Sequence, residues 1–273
     1  MARMKILTPL LLVVSVLLVS CGESTETTTE STTIPTTNEE ADMGANPAAD
    51  GFNEADSDPE AIAIADSVMQ YHGGREAYDR ARYFSWNFFG ARSLVWDKEE
   101  DRVRIESPQD EMIYLLDFSD DDLTGAVSKN GEEMTDPDSL DLYLQNAHSM
   151  WINDSYWLLQ PYKLKDSGVT LKYGGEAEDP QKNRPSEVLE LTFSEVGDTP
   201  GNRYRLYVDK ETYRINTWQF FRAATDEEPS ISTPFDDYRE YDGLMLSGNR
   251  GGRFQLSDIA VSNEMDDSVF TEF

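Results

Sequence analysis

Between Pro59 and Gly74 apolar residues recur every three or four positions, at Ile62, Ala65, Val68 and Met69. This spacing predicts a helix opened by Pro59 and Glu60 and stopped at Gly73 and Gly74, with a short helical turn over 75–81 behind it. From Arg82 the period falls to two. Phe84, Trp86 and Phe88 alternate with Ser85 and Asn87, and Val103 and Ile105 alternate with Arg102, Arg104 and Glu106. Met112, Tyr114, Leu116 and Phe118 share one face of the next run. Asn130 and Gly131 signal a tight hairpin. Four or five antiparallel strands joined by acidic turns are expected here. A helical insertion follows, from Pro137 to about Leu159, with Asp136 or Asp138 as its cap and Leu140, Tyr143, Leu144 and Ala147 on one face. Its aromatic end, 150–159, has room for a second short helix. Strands resume over 169–173, 188–194, 203–209, 215–222, 231–241, 245–250 and 254–261, with turns at 209–212 and 242–243.

About ten to twelve strands with two or three helices, and no helix between successive strands, predict a mainly antiparallel β fold built on one large curved sheet. Some strands are apolar on both faces, as at Phe88–Phe89, 113–116 and 218–221. Both faces of such a strand must be covered. One face packs on the helices. The other lines a cavity or partner groove, or closes a two-sided core. Alternation pairs Trp86 with Phe88, Tyr114 with Leu116, and Trp218 with Phe220, and leaves open which face is concave.

The amino-terminal segment reads differently. Arg3 and Lys5 precede an apolar run, Leu10 to Val19, which ends at Ser20, Cys21 and Gly22. The run is about ten residues, whereas a membrane-spanning helix needs about twenty. Leu18-Val19-Ser20-Cys21 resembles the lipobox of bacterial lipoproteins, which implies a signal peptide over 1–20 and a lipidated Cys21, the chain's lone cysteine. The stretch 21–58 is dominated by Thr, Ser, Glu, Asp, Ala and Pro. It has too little apolar surface to offset its ordering entropy and is expected to be a disordered spacer. The folded domain is then 59–273.

The formal net charge is -30, from 53 acidic and 23 basic residues. Such charge repels nucleic acid, whose binding needs a basic footprint. Only 8 of the bases are Lys against 15 Arg, and the acids spread over the domain, a composition suited to high salt or to a cationic partner. Two histidines exist, His72 and His148. His72, beside the Gly73–Gly74 stop, reads as a helix C-terminal residue favoured by the dipole. The sequence holds no H-E-x-x-H, no G-x-S-x-G and no phosphate-binding glycine loop. No metal and no cofactor are expected. With so many acids, spacing selects no carboxylate pair for hydrolysis. The run 117–122 lacks the glycine and terminal Glu of a calcium loop and reads as a solvated turn.

Several segments together resemble LolA/LolB-like domains. They are the helix ending in His72-Gly73-Gly74 with the aromatic strand behind it, Trp157 to Leu164, the D-x-x-T hairpin from Tyr204 through Asp209 and Thr212 to Ile215, and the closing hairpin Asp237 to Met245. The resemblance covers most of 59–273. It implies a half-open β-barrel of about eleven strands with helices on the concave side. It also implies binding of lipid or lipoprotein acyl chains without catalysis. Gly22 in place of the Asp that retains some lipoproteins in the inner membrane favours outer-membrane sorting. The expected partners are the membrane, through the anchor, and a lipid or lipoprotein ligand. Trp86, Phe88, Tyr114, Leu116, Trp151, Trp157, Trp218 and Phe220 are the expected ligand-binding residues. The competing readings are an acidic, surface-exposed interaction lipoprotein with a filled core, and a carboxylate-dependent hydrolase.

Overall fold

The helix starts are set by local chemistry. Helix α1 (Pro59–Tyr71) has proline in its first turn, where the missing N–H costs nothing, and α2 (Arg75–Arg80) follows the two glycines. Helix α3 (Pro137–Leu159) is capped by Asp136, whose carboxylate accepts from the Ser139 N–H at 3.0 Å. It runs unbroken through the aromatic stretch, so no second helix forms over 150–159, and a 3-10 turn follows at Gln160–Tyr162. A short α4 (Ser268–Thr271) ends the chain. These elements come from a computed structural model that describes residues 45–273 except 121, 195–200 and 253. The signal segment and Cys21 lie outside the described residues.

The strands are β1 (Tyr83–Phe88), β2 (Arg92–Asp97), β3 (Arg102–Ser107), β4 (Met112–Asp117), β5 (Thr124–Lys129), β6 (Glu132–Glu133), β7 (Val169–Glu178), β8 (Pro185–Phe193), β9 (Arg203–Asp209), β10 (Ile215–Phe221), β11 (Ile231–Pro234), β12 (Asp236–Tyr241), β13 (Leu244–Asn249) and β14 (Leu256–Ser262). All pair antiparallel. One group runs β14-β1-β2-β3-β4-β5-β6, a second β11-β10-β9-β8-β7, and β12 pairs β13. The expected single sheet is thus three hydrogen-bonded groups, open and not closed into a barrel. The stretch read as one strand over 231–241 breaks at Phe235, which is buried and donates its N–H to the Asn216 carbonyl. A lone bridge, Asn249 with Gln255, links β13 toward β14.

Register decides which face is inner. Across the larger sheet Trp86, Leu94, Ile105, Tyr114 and Val127 lie in one row, and Phe84, Trp96, Val103, Leu116 and Gly125 in the next. The side chains of both rows are buried in one core cluster. Gly125 ends its row because α3 crosses there. A Cβ on it would sit 1.9 Å from the Leu115 carbonyl oxygen and 3.1 Å from Leu144 of α3, and its φ of +150° already disfavours other residues. In the smaller sheet, Trp218, Leu206, Leu189 and Tyr173 align, as do Phe220, Tyr204, Leu191 and Leu171. The opposite face of β10 is not bare. Phe221 is buried under the Arg203 guanidinium, 3.8 Å from the ring centroid.

Not all of the acidic residues are surface charge. Asp97, Asp154, Asp179 and Asp209 are buried. Three of them close hairpins in the same way. Asp97 accepts from the N–H groups of Glu99 and Glu100, Asp179 from Gln181 and Lys182, and Asp209 from Glu211 and Thr212. Arg82 and Arg102 neutralise Asp97, and Arg184 pairs with Asp209. Burial acts to raise the Asp209 carboxyl, but the Arg184 bond and the turn N–H groups outweigh it and hold it well below the usual carboxylate range.

Residues 53–58, expected to fall within a disordered spacer, are instead held against β7. Asn53 N–H bonds Val169 O at 3.0 Å and Asp58 N–H bonds Leu171 O at 2.9 Å. Ser57 Oγ accepts from Leu171 N–H and Asp58 from Tyr173 N–H, so this strap satisfies the outer edge of β7. Composition hides this because the strap's contribution is backbone and capping side chains, not apolar area.

Candidate functional site

All eight expected ligand-binding residues meet in one cluster between α3 and the sheets. Trp86, Phe88, Tyr114, Leu116, Trp157 and Trp218 are buried in it, and Trp151 and Phe220 pack against it half-buried. Trp157 is its centre. Its ring lies edge-on to Trp218 at 4.6 Å and to Phe89 at 5.0 Å, with Phe254 at 5.8 Å and Phe88 at 6.1 Å. Trp218 stacks on Tyr204 at 5.1 Å, and Trp151 meets Trp96 at 5.5 Å and Phe118 at 4.6 Å. These aromatic contacts join α3 to both larger sheets. Phe89, Tyr204 and Phe254 are neighbours that alternation alone did not select.

The seam carries unspent donors. The indole N–H groups of Trp86, Trp96, Trp151 and Trp218 are buried and reach no acceptor among the described residues. Buried indoles ordinarily find one.

Two cationic anchors fix α3. Arg92 of β2 grips the fully buried Asp154 through two bonds, Nε at 2.8 Å and Nη2 at 2.9 Å. Burial raises the Asp154 carboxyl above its ordinary range, against the pull of Arg92. At the helix C-terminus, Arg250 is 1% exposed and forms no ion pair among the described residues. It donates to the Trp157 carbonyl at 2.7 Å and to Ser247 O and Oγ, and stacks 3.5 Å from the Phe235 centroid. A cation at the last carbonyls of a helix is favoured by its dipole. Burial brings the guanidinium down to about 9, with Tyr238 and Asp236 opposing, so it stays charged at neutral pH. Arg250→Met keeps the volume and removes a buried charge, but leaves the Trp157 carbonyl unpaired. It is expected to cost about 2 kcal/mol in urea unfolding.

Three of the motif segments meet at a second node. His72 is the residue after α1, and its carbonyl accepts from Met245 N–H at 3.0 Å and from the Tyr162 hydroxyl at 2.7 Å. Gly73 faces the Gly243 carbonyl so closely that a Cβ would lie 2.1 Å from its oxygen. The His72 ring is fully buried. Nδ1 donates to Val68 O at 2.7 Å, and Nε2 lies 3.3 Å from the Tyr238 hydroxyl. Burial pulls its pKa down to about 4, despite the Val68 bond. The expected dipole-favoured cation is therefore a neutral ring, because desolvation outweighs the helix end. His148, on α3, packs on Phe118 and Trp151.

An open cleft of about 420 Å³ lies beside α3, lined by Arg92, Tyr114, Tyr143, Asn146, Ser149, Met150 and Asn153. Of the expected residues only Tyr114 lines it. The signal for the others is a second helical stripe, 143, 146, 150 and 153, which mixes rings and amides and so is masked by the apolar one. No cluster of His, Cys, Asp and Glu among the described residues could hold a metal ion. No described helix is long and apolar enough to cross a membrane.

No family model matches the chain, and no curated protein matches it. Among solved structures it is similar to a DUF1329 family protein from Desulfovibrio piger, with 15% identity, TM-score 0.44, and coverage of 78% of this chain and 98% of that one. A Vibrio parahaemolyticus domain described as an outer membrane lipoprotein-sorting protein gives 10% identity and TM-score 0.40, over 77% and 96% of the two chains. A LolA superfamily protein from Nitrosomonas europaea gives 10% identity and TM-score 0.37, over 78% and 97%. At these scores the reading of the site rests on its own side chains.

Proposed function

We propose that the chain is an envelope lipoprotein, tethered through Cys21 and sorted to the outer membrane, that binds an apolar chain between α3 and the sheets without catalysis. The observation that supports this reading is the set of four buried indole N–H groups with no acceptor among the described residues, inside an otherwise aromatic seam. An acyl chain suits the rings, and its ester or amide carbonyl suits the donors. The test is native mass spectrometry of protein extracted gently from membranes, with uptake of a fluorescent fatty acyl probe as a second readout. Co-purified lipid or saturable uptake is expected. A lipid-free protein that takes up no probe sinks the proposal.

The filled core favours a second reading, an interaction lipoprotein that uses its acidic surface. Trp151, Trp157 and Trp218 each touch other rings, and Trp86 and Trp218 are almost fully buried. A lipid-free protein would leave this reading standing.

The tether has its own test. Cys21→Ser is expected to move the protein from the detergent-extracted membrane fraction to the soluble fraction and to abolish labelling by a palmitate analogue. Retention in membranes with continued labelling would overturn the anchor.

A further inference from the structure

The cleft beside α3 differs in chemistry from the aromatic seam. Its wall is amphipathic: the rings of Tyr114 and Tyr143 and the Met150 thioether alternate with the Asn146 and Asn153 amides and the Ser149 hydroxyl. Tyr114 is 4% exposed, yet its hydroxyl makes no hydrogen bond to a described residue. Nor do the Tyr143 and Ser149 hydroxyls or the Asn146 amide. Burial raises the Tyr114 phenol, and Tyr143 and Asp110 raise it further. The hydroxyl therefore stays protonated and able to donate.

Charge narrows the ligand. Arg92 spends Nε and Nη2 on Asp154, so the pair presents no net charge while Nη1 remains a donor. Asn153 donates to Asp154, which leaves its amide oxygen as an acceptor. Asp110 nearby and a chain charge of -30 oppose an anionic ligand. The site thus offers neutral donors and acceptors beside the Tyr143 ring, in a volume typical of small-molecule sites. A pyranose meets these terms. Its C–H face packs on a tyrosine ring, and its hydroxyls both donate and accept.

We propose that this cleft binds a neutral saccharide, with Tyr143 stacking on the ring and Tyr114, Asn146, Ser149 and Arg92 bonding its hydroxyls. The site is independent of acyl binding in the seam. The sugar could arrive as a free glycan or as a glycolipid head group, and two probes separate these sources.

Saturation-transfer NMR on the full chain in a sugar-free detergent would compare methyl β-D-glucopyranoside with octyl β-D-glucopyranoside. Both probes are expected to bind, with signal on the ring protons. Asn146 is exposed, so Asn146→Leu should fold normally and weaken both by about tenfold or more. Tyr143→Ser should do the same. Binding of the octyl probe alone, lost in Asn146→Leu, supports the cleft and points to a glycolipid. Octyl binding unchanged in both variants reports the chain only and overturns the proposal. So does the absence of ring-proton signal from both probes, or binding of inorganic phosphate with neither of the sugars.

Discussion

Trp157→Ala is expected to destabilise the protein by roughly 3–5 kcal/mol, which lowers the melting temperature by on the order of 10 °C for a domain of this size. Trp157 reaches Phe88, Phe89, Trp218 and Phe254 at once, so truncation opens a cavity where α3 meets both larger sheets. The void cannot close by local collapse. The Trp157 carbonyl is pinned by Arg250, and Asp154 one turn earlier by Arg92. Trp157→Phe should recover part of the loss. Thermal and urea melts of the three proteins check this. A loss below about 1 kcal/mol for the alanine variant would mean that the seam is not close-packed. Because the change acts on stability, acyl binding is better tested on the unmutated protein.

Acid should weaken the fold well above the pH at which carboxylates titrate. His72 has a folded pKa of about 4 against an ordinary 6.5. Between those values the unfolded chain binds the proton and the native protein does not, so stability rises with pH. The contribution is complete above pH 6.5, falls as pH drops through the window, and is exhausted below about 4. Its size is on the order of 3 kcal/mol. The cause is burial among Tyr71, Tyr162 and Tyr238, where Arg214 also opposes a second positive charge. Urea melts at pH 7 and pH 4.5 on the natural protein and on His72→Gln measure it. The natural protein should lose more than the variant. Equal losses would place the titration elsewhere.

Local rules were enough for much of the fold. Proline, aspartate and glycine marked the ends of α1 and α3, and Asn130–Gly131 closed the β5–β6 hairpin with both residues at positive φ. Period two paired Trp86 with Phe88 and Trp218 with Phe220 correctly, since alternation is a property of the extended backbone itself. A mainly antiparallel arrangement followed from strand after strand without intervening helices, but not its division into three hydrogen-bonded groups.

Other features needed neighbours. Alternation is symmetric, so only the register that sets Trp86, Leu94, Ile105, Tyr114 and Val127 in one row beneath α3 could say which face is inner. The break at Phe235 depends on a bond to Asn216, a residue of another strand. The charge of His72 is set by desolvation from α1, the 3-10 turn and β12 together, and the burial of Asp97, Asp154 and Asp209 by arginines distant in sequence. The cleft combines a helical stripe with Arg92 and Tyr114 of two strands. The sequence by itself determined where the chain turns and which residues alternate, because those follow from backbone geometry and near neighbours. Only the tertiary structure decided which face is core, which acids are buried and which polar groups are left unspent, because each is set by what lies across the fold.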